Sequence, residues 1–248
     1  MTNQDQPNLG NASTDIIVSL TKGGVGAIPM IGSLVAEIIG NVIPNQRVDR
    51  ISEFVRLLDE RLRQIEQSVL DVKFREPAAI DLLEDAFFQA ARATSHERLE
   101  HIANVVANGM SGEEVKEATA KRMLWLLGQI TDSEIVILRS RLVMTREDLE
   151  TDIEFRKKHG KLLAPDTLVM GSSEEEFEEA ALKASYRQHL HDLGLLRQRY
   201  TKPRRGELPE FDEKTGTMKA SGSDVTRLGK MFLRYLNLIP AWYSQRYR

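Results

Sequence analysis

Cysteine is absent from the 248-residue chain. That excludes disulfides, thiol nucleophiles and thiolate metal sites, and it points to a reducing, cytoplasmic compartment. Aromatic residues are scarce, at 6%. Charge of one sign is also lacking. The net charge is −3, so no global field draws the chain to nucleic acid or to anionic lipid, and any such contact must come from a local patch. The stretch Met1 to Gly10 has no basic start and no apolar core of the kind a secretion signal needs. Long apolar runs are short of a membrane span, because residues 30–43 would make a helix of only about 21 Å against a hydrocarbon core of roughly 30 Å.

What is present is enough for a core. Hydrophobic residues make up 41% and charged residues 29%. Residues 1–13 read as a disordered tail. From Ile16 to Ile43 the chain is apolar and glycine-rich, with Lys22 and Glu37 as its charges. Pro29 interrupts any helix there. Beyond it, Gly32, Ala36 and Gly40 lie four apart, the spacing that lets helices approach closely, as they do in membranes. Glu37 sits beside that line and is costly in lipid unless paired. This stretch reads as a tight-packing segment that is held at rest and is able to reach a membrane or a partner when released.

The next segment has the clearest periodicity. Val48, Val55, Leu62 and Val69 recur every seven residues, and Ile51, Leu58, Ile65 and Val72 repeat three positions later. These are the a and d positions of four unbroken heptads in one helix running from Pro44 or Asn45 to about Val72. The seam expects a partner helix, from a second copy or from the same chain. Arg61 and Glu66 occupy g and e positions that suit a parallel pair.

Further helices are marked by their start signals. Pro77 suits the first turn of a helix from Ala78 to about Ala93. Thr94 with Glu97, Ser111 with Glu114, and Thr131 with Glu134 each fit a capping box. Residues 14–130 therefore read as a helical bundle. Residues 131–248 change in grammar. Helices are expected near Ile135–Leu138, from Thr145 to His159, and from Ser172 or Ser173 to Leu193, with Gly194 as the C-terminal cap. A loop fills Gly160 to Gly171. Leu195 to Tyr200 reads as a strand, Thr217 to Ala220 as its return, and Asp224 to Leu238 as the last helix. The predicted class is mainly α. It comprises an N-terminal bundle with a long heptad helix and a winged-helix-like C-terminal domain with a small β-hairpin.

Chemistry-bearing patterns are few. Lys22-Gly23-Gly24-Val25-Gly26 starts like a phosphate loop, yet Ala27 and Ile28 stand where a lysine and a hydroxyl are needed. His96 and His101 are five apart, and His189 and His191 two apart, so neither pair shares a helical face as metal ligands must. No serine lies in a nucleophile elbow. Neither a metal nor a cofactor is expected, and the chain reads as non-enzymatic. The five carboxylates from Glu174 to Glu179 suit a solvated first helical turn. Arg197, Arg199, Lys202, Arg204 and Arg205 place five cations on the predicted strand and wing, a patch for nucleic acid or for an acidic partner.

Two groups of residues carry a resemblance. One is Ile28-Pro29-Met30-Ile31-Gly32 followed by Ile43-Pro44-Asn45-Gln46-Arg47-Val48-Asp49-Arg50. The other is His191-Asp192-Leu193-Gly194-Leu195-Leu196 with Thr226-Arg227-Leu228-Gly229-Lys230-Met231-Phe232-Leu233. With the order of elements, these make the chain similar to helical bacterial proteins and, more loosely, to the abortive-infection alpha family linked to phage resistance. The resemblance implies a prokaryotic defence or stress role and brings no catalytic residue. The expected function is a helical effector or scaffold that self-associates through 48–72, forming a homo-oligomer or binding a helical protein, with 16–43 released toward a membrane. The alternative is a winged-helix DNA-binding regulator dimerised by the heptad helix.

Overall fold

The computed structural model describes residues 47–111, 114–142, 149–200, 203, 205–206, 208–213 and 216–239. The tight-packing segment (Gly32, Ala36, Glu37, Gly40), the glycine-rich stretch from Lys22 to Gly26, and Lys202 and Arg204 lie outside the described residues. Mainly helical, the structure carries one two-stranded antiparallel hairpin among the described residues. It divides into two compact units. The first is the described part of Met1–Gly128 with Tyr235–Asn237, and the second is the described part of Gln129–Arg234 with Leu238–Arg248.

The first unit packs α1 (Val48–Leu62), α2 (Gln67–Lys73), α3 (Pro77–Arg92), α4 (His96–Met110) and most of α5 (Glu114–Gln129). Helix α1 lies against α3 and α4. Its Ile51, Phe54, Val55, Leu58 and Leu62 are buried with Leu83 and Phe87 of α3 and with Ile102 and Val106 of α4. Phe54 meets Phe87 edge to face, with ring centroids 5.3 Å apart. Each such fully buried side chain contributes roughly 1.5–3 kcal/mol from the water it leaves.

The expected continuous heptad helix is corrected here. Helix α1 stops at Leu62, a turn follows, and Glu66 is extended (φ −58°, ψ 133°) before α2 begins. The break rotates the chain, so Leu70 and Phe74 turn inward instead of the heptad positions. Ile65 and Val69 are half-buried, and Val72 is 59% exposed. Arg61, the expected g position, is engaged within the chain. It donates to the Asn104 side chain and to the Leu57 carbonyl (3.0 Å), and approaches Glu100 at 3.8 Å.

Asn104 is buried and satisfied on both sides of its amide. Its Nδ2 donates to the Leu236 carbonyl (3.0 Å), while its Oδ1 accepts from Asn237 Nδ2 (3.0 Å) and from Arg61. Asn108 donates to the Tyr235 carbonyl (3.0 Å). Asn237 adopts φ +58°, a left-handed conformation that asparagine tolerates better than most residues. Residues 235–237 are thus held on α4 by amides whose loss would leave buried polar groups unpaired.

The second unit holds α6 (Asp132–Ser140), α7 (Leu149–Lys158), α8 (Gly160–Leu163), α9 (Glu174–Asp192), β1 (Leu196–Tyr200), β2 (Ala220–Val225) and α10 (Arg227–Tyr235). Capping boxes form at Thr131–Glu134 and at Ser173–Glu176. The box expected at Thr94 does not form: Ser95 caps α4 instead, its Oγ accepting from Arg98 N–H at 3.0 Å. Gly194 takes φ +70° after α9, as a C-terminal cap requires.

Three boundaries differ from expectation. Helix α7 ends at Lys158, and α8 occupies the start of the expected loop, stopping where Ala164 is extended ahead of Pro165. The returning strand is Ala220–Val225 rather than 217–220; Met218 makes only an isolated bridge to Phe211. The last helix consequently starts at Arg227, not Asp224. Thr226 fixes the corner: its N–H donates to the Leu195 carbonyl (3.0 Å), and its hydroxyl donates to the Gly194 carbonyl (2.6 Å) and accepts from Gly229 N–H (3.0 Å). Gly229 packs so tightly there that a Cβ would press on the Leu195 carbonyl and lie 2.8 Å from Val225 Cγ1.

Candidate anion-binding face

The hairpin positions the sequence-predicted cations that are described. Arg197 pairs with Asp224 across the ladder, and Arg199 with Gly222. Side chains alternate along a strand, so Arg197 and Arg199 share one face. Both are exposed. Gly222 makes room for Arg199, since a Cβ at 222 would sit 2.8 Å from its Nη2. Laid over that gap, the Arg199 guanidinium donates to Asp224 Oδ1 at 3.1 Å. The Ser221 hydroxyl donates to the Arg199 carbonyl at 3.0 Å. Arg199 is therefore a positioned guanidinium rather than a free side chain. Arg205 is exposed in the connecting loop.

Four arginines that sequence reasoning missed lie in the same unit. Arg139 and Arg141 come from the end of α6, Arg156 from α7, and Arg187 from α9. Arg156 donates to Asp152 Oδ2 (2.6 Å) and to the Ser140 carbonyl at the end of α6 (2.9 Å). Arg187 donates to Asp166 Oδ2 (2.8 Å), and Lys183, which is buried, reaches the other oxygen at 3.4 Å. The Arg139 guanidinium lies 3.7 Å from the Phe155 ring centroid, a stacked cation–π contact. Burial lowers its pKa below the ordinary arginine value, and its Nε is buried with no hydrogen-bond partner.

Arg141 is the cation that joins the group. Burial lowers its pKa first, and then the positive charges of Arg187, Arg156 and Arg199 lower it further. Positive charges on α7, α9 and β1 thus act on Arg141 at the end of α6. No sequence signal marks the set, because its members are scattered from 139 to 199 and only the tertiary fold assembles them.

Helix α9 is electrically divided. Its first turn holds Glu174, Glu175 and Glu176, where the positive helix end favours them. Its last turns carry Arg187, His189 and His191. His191 Nε2 lies 3.0 Å from Ser223 Oγ, which ties the cationic end to β2. The basic residues of this helix therefore lie in its C-terminal half, next to the hairpin.

Of the predicted self-association seam, Ile51, Val55, Leu58 and Leu62 are buried in the chain's own first unit. The side chain of Val48 is outside the described set. Among the described residues there is no cluster of His, Asp and Glu able to hold a metal ion, and no helix long and apolar enough to cross a membrane. No protein-family model, curated protein or solved structure matches the chain.

Proposed function

We propose that this chain is a non-enzymatic binding protein whose second unit is a winged-helix-like module for the phosphate backbone of duplex nucleic acid. The observation that carries this reading is the pair of exposed guanidiniums, Arg197 and Arg199, on one face of β1. Among the described residues the order is four helices, the second and third nearly continuous, then the hairpin and a last helix, and the helix–hairpin–helix end of that order supports it. In such modules a basic hairpin touches phosphate, and phosphate contacts position a protein on a duplex without reading its bases. The acidic start of α9 argues against a helix inserted deep into the groove, so the reading is one of backbone contact with little sequence preference. A net charge of −3 makes the local patch decisive and the binding sensitive to salt. The effector reading has less to stand on, because half of its seam is already occupied within the chain.

Fluorescence anisotropy with a labelled duplex and the full chain tests the proposal. The double variant Arg197→Glu/Arg205→Glu should abolish binding at low salt. Unchanged binding by that variant would remove the hairpin from the interface.

A further inference from the structure

The second unit carries opposite features at the two ends of one helix. Helix α9 has 19 residues and is therefore about 28 Å long. Just ahead of it, Val169 to Ser172 form a tight turn. Ser172 N–H donates to the Val169 carbonyl (3.0 Å), Val169 N–H donates to Ser172 Oγ (3.1 Å), and Gly171 has φ +108°. That turn puts Met170 at its tip, fully exposed. Leu168 and Val169 are exposed before it, and Phe177 is exposed one turn into the helix. Both flanks are anchored: Asp166 is held by Arg187 (2.8 Å) and Lys183 (3.4 Å), and Ser173 closes its capping box with Glu176. An apolar tip is thus presented by a fixed loop, and such patches mark contact sites. Glu174, Glu175 and Glu178 stand exposed beside it, while Glu179 is met by Lys161 (3.6 Å) and Lys183 (3.3 Å).

The other end of α9 meets the hairpin, through the His191–Ser223 contact and the Gly194 corner. There Arg197, Arg199 and Arg205 are exposed, and so are the apolar side chains of Tyr200, Leu208 and Phe211. The connecting loop also holds Glu210, Asp212 and Glu213, of which Glu210 is matched by Lys219 at 3.4 Å. The positive end of the hairpin is therefore β1 and the residues just after it.

We infer that copies of this chain join head to tail, the Leu168–Met170 turn and acidic start of α9 in one copy docking on the basic hairpin of the next. Charge complementarity names the occupant, because carboxylates flank one apolar patch and guanidiniums flank the other on the same unit. The length of α9 keeps the two patches apart within one chain, so they meet between chains. Apolar side chains supply the centre of such a contact, and charges at its rim fix orientation. Since the two surfaces differ, the interface is heterologous and builds rings or open chains rather than a two-fold pair. The inference does not rest on the duplex reading, although a duplex would compete for the same hairpin.

Sedimentation velocity of the full chain, without nucleic acid, tests it. At low salt the average sedimentation coefficient should rise with protein concentration. At about 0.5 M salt it should fall toward that of the monomer, because rim charges are screened. Met170→Asp, and separately Arg197→Glu/Arg205→Glu, should each weaken association about tenfold or more. Circular dichroism checks that the variants are folded. Val72→Asp, on the first unit, should leave association unchanged. A mixture of the two defective variants should form one heterodimer and nothing larger, because the intact hairpin of the first meets the intact turn of the second. A wild type that stays monomeric at low salt and about 100 µM overturns the inference and leaves the turn to a different basic protein. Association unchanged in either folded variant, or lost in Val72→Asp, overturns it by placing the contact elsewhere. A mixture that stays monomeric rules out the head-to-tail arrangement. Met170→Asp keeps the duplex surface intact, so its duplex affinity separates failure of this inference from failure of the duplex reading.

Discussion

His189 Nδ1 lies 2.6 Å from Glu134 Oε1, and this contact joins α9 to α6. Glu134 is 2% exposed, and its other oxygen accepts from Thr131 N–H (2.7 Å) and from the Thr131 hydroxyl (2.9 Å). One carboxylate thus closes a capping box and receives a second helix. Glu134→Ala should cost about 2 kcal/mol, combining a lost cap with an unpaired partner. His189→Ala should cost less, since its side chain is 42% exposed. Urea unfolding of both single variants and the double should show coupling of at least about 0.5 kcal/mol. Additive losses would separate cap from contact.

The interrupted seam makes a contrast between two of its own positions. Leu58 is fully buried, so Leu58→Ala should cost about 2–5 kcal/mol through lost contacts and a cavity. Val72, at the heptad position that faces water, should accept aspartate within about 0.5 kcal/mol. Denaturant midpoints measured at several protein concentrations check both effects. A Val72→Asp loss as large as that of Leu58→Ala would mean that the far end of the seam is covered in solution.

At Gly229 no side chain fits, because the Leu195 carbonyl and Val225 close over the helix start. Gly229→Ala should destabilise the second unit by about 1–3 kcal/mol, the usual range for overpacking, despite alanine's better helix propensity. Thermal unfolding measures the sign. A gain in stability would show that the corner at Thr226 is looser than its hydrogen bonds indicate.

Asp166 supplies a pH dependence. Its hydrogen bond from Arg187, with help from Lys183, lowers its pKa below the ordinary 3.8. A group whose folded pKa is depressed contributes stability that is fully present above the unfolded value and lost as pH falls through the folded one. Wild type should therefore lose this contribution below about pH 4, while Asp166→Asn lacks it at every pH. The gap in urea midpoint between the two should be open at pH 6 and narrow toward pH 3. A constant gap would mean that the pairing does not act through ionisation.

The sequence was most legible where local chemistry decides. Ser173 with Glu176, Thr131 with Glu134 and Gly194 each set a helix end through bonds made within a turn, and those ends are found where the pattern places them. Periodicity misled at Arg63–Glu66. Four heptads describe an ideal seam, yet Leu70 and Phe74 offer a larger apolar pair, and the chain breaks the helix to bury them. Ser221-Gly222-Ser223 resemble a linker in composition, and only pairing with Gln198 and Arg199 makes them a strand. The cationic group was half visible. Arg197 and Arg199 stand out as a local run, whereas Arg139, Arg141, Arg156 and Arg187 are scattered over α6, α7 and α9 and form no local pattern.

The most direct measurement is the salt dependence of duplex binding by the full chain. Log affinity plotted against log salt should be linear with a slope of about −3, the release expected when roughly three phosphates are neutralised. Arg197→Gln should reduce that slope by about one and weaken binding to unrelated sequences equally. Absence of binding at low salt, or affinity that does not change with salt, would contradict the account.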